Sequence, residues 1–90
     1  MPVSSEFEAR VTLPAEVALH ARPAAEFVRM AMGFSSEIAV GAGDQEADAK
    51  SLMAVLALGA TGGTELCLRA EGDDASSAVD ALVGCVAAFG

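Results

Sequence analysis

Positive charge is scarce in this sequence: lysine and arginine number five against thirteen aspartates and glutamates, for a net charge of −8. That balance argues against DNA, RNA or an anionic membrane as partner, because each of those attractions needs clustered cations. Cysteine is limited to Cys67 and Cys85. Two are too few for a disulfide framework and lack the CxxC spacing of a redox or zinc site, so they read as inert thiols. No stretch approaches the ~18 apolar residues of a membrane span, and Met1-Pro2-Val3-Ser4-Ser5-Glu6 lacks the basic and apolar regions of a signal peptide. A cytoplasmic protein without membrane insertion is expected. The carboxylates are dispersed, with no catalytic pair and no metal cluster, and nothing in the pattern asks for a cofactor.

Ninety residues form one expected domain, 1–90. A chain of this size buries roughly two-thirds of its unfolded surface on folding. Apolar residues make up 53% of it, but twenty are alanines, so the core must be small. Phe7 to Leu13 alternates apolar with polar, the period of a half-buried strand, and Pro14 ends it. Ala21 to Met32 sets Ala21, Ala24, Phe27, Val28 and Ala31 on one helical face, with Gly33 as the residue that closes the helix. Glu37 to Val40 and Gln45 to Asp48 read as short strands around a Gly41-Ala42-Gly43-Asp44 turn. Ser51 caps a short helix from Leu52 to about Leu58, stopped by Gly59. Thr64 to Glu71 alternates again, and Gly72-Asp73-Asp74 supplies a turn and a cap for a helix from Ala75 to Phe89. The order β-α-β-β-α-β-α implies an α+β fold of two layers, one sheet with helices on one face. Alternation puts Glu6, Glu8, Arg10, Thr12, Glu65, Cys67 and Arg69 on the wet face.

His20 is the single histidine and stands where a loop enters the first helix. Pro23 falls early enough in that helix for its missing N–H to cost no hydrogen bond. The amides of Ala21 and Arg22 are then free, the helix dipole presents its positive end, and Arg22 adds a guanidinium: together an anion site, with phosphate the natural anion. An imidazole near neutral pH is also a nucleophile able to form a labile N–P bond. On residue types alone His20 reads equally as a plain cap with Arg22 solvated beside it. Glu26 lies one turn from both Arg22 and Arg29 and is expected to hold Arg22 loosely when the site is empty.

Leu19-His20-Ala21-Arg22-Pro23-Ala24 resembles the phosphohistidine signature of the HPr family, the histidine-containing phosphocarriers of the bacterial sugar phosphotransferase system. Lys50-Ser51-Leu52-Met53-Ala54-Val55-Leu56-Ala57-Leu58-Gly59-Ala60 resembles the family's regulatory-serine segment, in register with the first motif. The resemblance implies a four-stranded antiparallel, open-faced sandwich with three helices on one face. It implies that His20 accepts phosphate through Nδ1 from enzyme I, charged by phosphoenolpyruvate, and passes it to IIA components of sugar permeases. Arg22 would steady the phosphate, Ser51 would be the target of a serine kinase where one exists, and Leu52, Met53 and Leu56 would form the docking patch of a monomeric carrier. Val17 and Ala18 depart from the family's small polar residue and glycine; an alanine would be strained if the loop there needs positive φ.

Other readings start from the residues. Ser51 alone is a common cap, and Leu52, Met53 and Leu56 could be core, although so short a helix that also carries Val55 and Leu58 must expose some of them. A carrier of the nitrogen-related branch would show the same motifs. An acyl carrier also has Ser-Leu at a helix start, but after Asp, where Lys50 stands here. A small ligand-sensing domain would use His20 without phosphorylating it.

Overall fold

The chain folds as β1 (Glu6–Thr12), α1 (Ala21–Met32), β2 (Glu37–Ala42), β3 (Gln45–Asp48), α2 (Leu52–Ala57), β4 (Glu65–Glu71) and α3 (Ala75–Ala87). The computed structural model describes residues 6–19 and 21–89. All four strands join one antiparallel sheet in the order β1-β4-β2-β3. Alternation in β4 decides the layers: Leu66, Leu68 and Ala70 are buried under the helices, while Glu65, Arg69 and Glu71 are exposed on the opposite face. α3 lies over β1 and β4, and α1 packs against α3 and α2. Small side chains are buried on both helices, Ala24 and Ala31 on α1 and Ala75 and Ala78 on α3, all at most 1% exposed. Phe27, Leu82 and Val86 fill the space between helices and sheet.

The bare face is held by charge. Arg69 reaches Glu6 on β1 (3.7 Å) and Glu46 on β3 (3.0 Å), spanning the sheet. It can do so because the intervening strand β2 presents only Ala39 and Gly41 there, opposite Arg69 and Cys67. The Cys67 thiol donates to Glu8 Oε2 at 3.3 Å. Cys85 sits on α3, on the helical side of the sheet, and both thiols are free.

Several boundaries differ from those expected. β2 runs two residues further, to Ala42, because Ala42 pairs with Gln45, which tightens the turn to Gly43-Asp44. α2 stops at Ala57 and α3 at Ala87, each followed by a cap residue whose N–H turns back onto the helix. Gly59 does stop α2, in the left-handed region at φ +62 that a side chain would disfavour. Gly33 follows α1 without a left-handed φ: its N–H donates to the Met30 carbonyl in a tighter last turn. Ala21 is exposed and does not join the buried stripe of α1. Asp74 precedes α3 but makes no cap hydrogen bond; its carboxylate serves a distant segment instead. Among the described residues no helix is long and apolar enough to cross a membrane.

Candidate functional site

His20 lies outside the described residues; the two segments that join at it do not. On one side is the loop from Leu13 to Leu19, tied to the turn ahead of β4. The Leu13 N–H donates to the Thr64 carbonyl (2.9 Å), the Gly63 N–H to the Leu13 carbonyl (3.0 Å), and the Leu19 N–H to the Ala60 carbonyl (2.9 Å). Both leucines are 1% exposed. Burial and backbone pairing thus fix both ends of the loop, while Ala15 and Glu16 at its tip are exposed. Ala18 does not carry the strain its departure from the family raised. Positive φ falls instead on Ala21, at +41 the only non-glycine so placed among the described residues. Such a conformation costs on the order of 1–3 kcal/mol and persists where its surroundings impose it.

On the other side α1 begins. The first-turn amides of Ala21 and Arg22 have no carbonyl four residues back within the helix, and Pro23 has no N–H to leave orphaned. Arg22 is exposed and lines a cleft of about 440 Å³ together with Glu16, Val17, Ala18, Pro23, Glu26 and the end of α3 at Ala88 and Phe89. Glu26 does not hold Arg22: no ion pair joins these two described residues, and both stand exposed. Amides without an intrahelical partner, a positive helix end and an exposed guanidinium can bind a phosphoryl group. A second cleft, of about 500 Å³ on the bare sheet face, has the wrong sign for that, with Glu6, Glu37, Asp48 and Glu71 around Lys50 and Arg69.

Ser51 is the cap that its sequence position suggests, its Oγ accepting from the Ala54 N–H at 3.2 Å. The helix it opens divides as its crowding requires. Val55 is fully buried, Leu56 half-buried, Leu52 40% exposed and Met53 77% exposed. Two tethers orient α2 against α1. The Lys50 ammonium donates to the Phe34 carbonyl (2.6 Å), just beyond the end of α1, whereas Ala60, past the end of α2, binds Leu19, just before its start. The two helices therefore run in opposite senses. Leu56 thus lies toward the start of α1 and Ser51 toward its end.

Sequence reasoning missed the contact that locks the α1–β2 connection. The Asp74 carboxylate accepts from the Ser36 hydroxyl and from the N–H groups of Ser35 and Ser36, both at 2.9 Å. The Ser36 hydroxyl above all, then the Ser35 N–H, hold its carboxyl down at about 2. No local pattern announces a bond between residues 38 apart in the chain.

The family model described as the PTS HPr component phosphorylation site matches residues 7–88. A phosphocarrier protein HPr of Haemophilus influenzae is 46% identical over 76 residues, covering 84% of this chain and 89% of that one. A crystal structure of HPr from Thermoanaerobacter tengcongensis superposes with a TM-score of 0.86 at 41% identity, over 90% of this chain and 91% of the other. A multiphosphoryl transfer protein of Xanthomonas campestris is 41% identical over 80 residues, 89% of this chain but only 9% of that much longer one.

Proposed function

Because the chain belongs to the HPr family, phosphocarriers of the phosphotransferase system that are not enzymes, we propose that His20 is the residue that carries its phosphoryl group. The observation that supports this most is the first turn of α1, where the amides of Ala21 and Arg22, without an intrahelical partner, and the exposed Arg22 guanidinium directly follow His20. In the transfer step the Nδ1 lone pair attacks phosphorus, an N–P bond forms as the bond to the donor breaks, and Arg22 offsets the charge on the phosphoryl oxygens. The donor is enzyme I charged by phosphoenolpyruvate, and the acceptors are IIA components of sugar permeases. Both dock on Leu52, Met53 and Leu56, with Ser51 as a regulatory site, and the protein works as a cytoplasmic monomer without a cofactor. An acyl-carrier role does not suit a molecule built on a four-stranded sheet.

Intact mass after incubation with enzyme I and phosphoenolpyruvate tests the reading. One phosphate is expected at neutral pH, lost on acidification because protonation of the leaving nitrogen breaks the N–P bond, and absent from His20→Ala. Phosphate uptake by His20→Ala would overturn it.

A further inference from the structure

We propose that Gly62 is a positioning residue for His20, through a contact that no side chain could make. A Cβ at Gly62 would lie 2.1 Å from the Ala15 carbonyl oxygen, 2.6 Å from its carbon and 3.0 Å from the Pro14 carbonyl oxygen. These are backbone atoms, so relief requires the loop itself to move. The remaining tethers decide where it moves. Leu13 is held by two backbone hydrogen bonds to Gly63 and Thr64 and by its burial, and Leu19 by Ala60 and its own burial. Displacement at Ala15 therefore strains the bond from the Val17 N–H to the Pro14 carbonyl (3.0 Å) and pulls on the bond from Leu19 to Ala60, the last tether before His20. Residues 60–64 act as a template under this loop, and Gly62 is the point where the two backbones meet.

The glycine at 62 differs in kind from Gly43. Gly43 is needed for its left-handed φ of +61 and has nothing within 4 Å of its absent Cβ, whereas Gly62 is needed for contact. Because Ala15 and Glu16 are exposed, the loop can yield while the core stays formed.

The proposal rests on His20 being the phosphoryl acceptor, and its test separates the two ideas. Transfer from enzyme I is followed in a single turnover, and the His20 imidazole is titrated by NMR, in wild type, Gly62→Ala, Gly43→Ala and Gly62→Ala/Ala15→Gly. Gly62→Ala is expected to fold, to slow transfer by about 10- to 100-fold, as sub-ångström to ångström misplacement does, and to move the imidazole resonances and their titration midpoint. Gly43→Ala should lose thermal stability with rate and titration unchanged. Glycine at position 15 should restore part of the rate by letting that carbonyl swing away. A Gly62→Ala protein with wild-type rate and titration overturns the proposal, and so does one that fails to fold, since Gly62 would then serve the core. Wild type that takes up no phosphate overturns the acceptor reading alone, and the imidazole titration then decides the role of Gly62.

Discussion

Asp74 shows how much one carboxylate can organise when three donors converge on it. Its pKa is lowered to about 2 by the Ser36 hydroxyl and the Ser35 and Ser36 amides, against about 3.9 for an unfolded aspartate. A folded-state value below the unfolded one stabilises only where the group is ionised. This contribution is therefore complete above about pH 5 and is lost as pH falls through 4 toward 2. Asp74→Asn should lower Tm at neutral pH and flatten the fall of Tm over that acid window; an unchanged acid limb would show that other carboxylates set it. Arg22 makes the opposite kind of contribution. Being exposed at a helix start, it adds little to folding, while charge-assisted bonds to phosphate are worth about 1.5–3 kcal/mol. Arg22→Ala should slow phosphoryl transfer roughly 10- to 100-fold with Tm nearly unchanged, and Arg22→Lys should recover only part of it for want of a planar fork. A rate within about twofold of wild type in the alanine variant would remove the guanidinium from the site.

Among the elements, α2 sets exposed apolar residues, the proposed docking patch, beside a buried one within six residues. Met53→Ala should weaken the encounter with enzyme I, seen as a raised half-saturating concentration, and leave Tm unchanged because the side chain is 77% exposed. Val55→Ala, at 0% exposed, should do the reverse, costing about 1.5–3 kcal/mol in denaturant unfolding. Ser51→Asp keeps a capping oxygen at the helix start, so the fold should hold, while a charge beside Leu52 and Met53 should raise the half-saturating concentration most at low salt. Wild-type kinetics in that variant would leave Ser51 as a cap only. The split between exposed and buried side chains was legible in the sequence, because five large apolar residues on and just after so short a helix cannot all be buried. Strands β1 and β4 and the buried stripe of α1 were legible for the same reason, since burial imposes periods of 2 and 3.6 on residue choice. What was not legible is whatever depends on residues distant in the chain: the Asp74 bond to Ser36, the Arg69 span over Gly41, the seating of Ala15 on Gly62. The positive φ of Ala21 was hidden too, because alanine carries no mark of the conformation that its surroundings impose.

At the scale of the molecule, the sheet partitions both chemistry and charge. Cys67 lies on its bare face and Cys85 on its helical side. Oxidation should therefore give no intramolecular disulfide, and mass spectrometry after denaturing alkylation should count two free thiols. Burial first, then Glu8, raises the Cys67 pKa, and burial with Glu26 raises that of Cys85, so native alkylation should be slow at neutral pH and accelerate as pH rises. A disulfide within one folded chain would contradict the strand register. β4, finally, is bordered by β1 and β2 along nearly its whole length, so its amides are engaged from both sides and should be the last to exchange with deuterium. β3 and α2 at the margins can open many times before β4 does. The turn that leads into β4 also holds the loop that ends at the proposed phosphoryl acceptor. A carrier that must be gripped and released by successive partners can therefore loosen its rim without losing the geometry of its cargo.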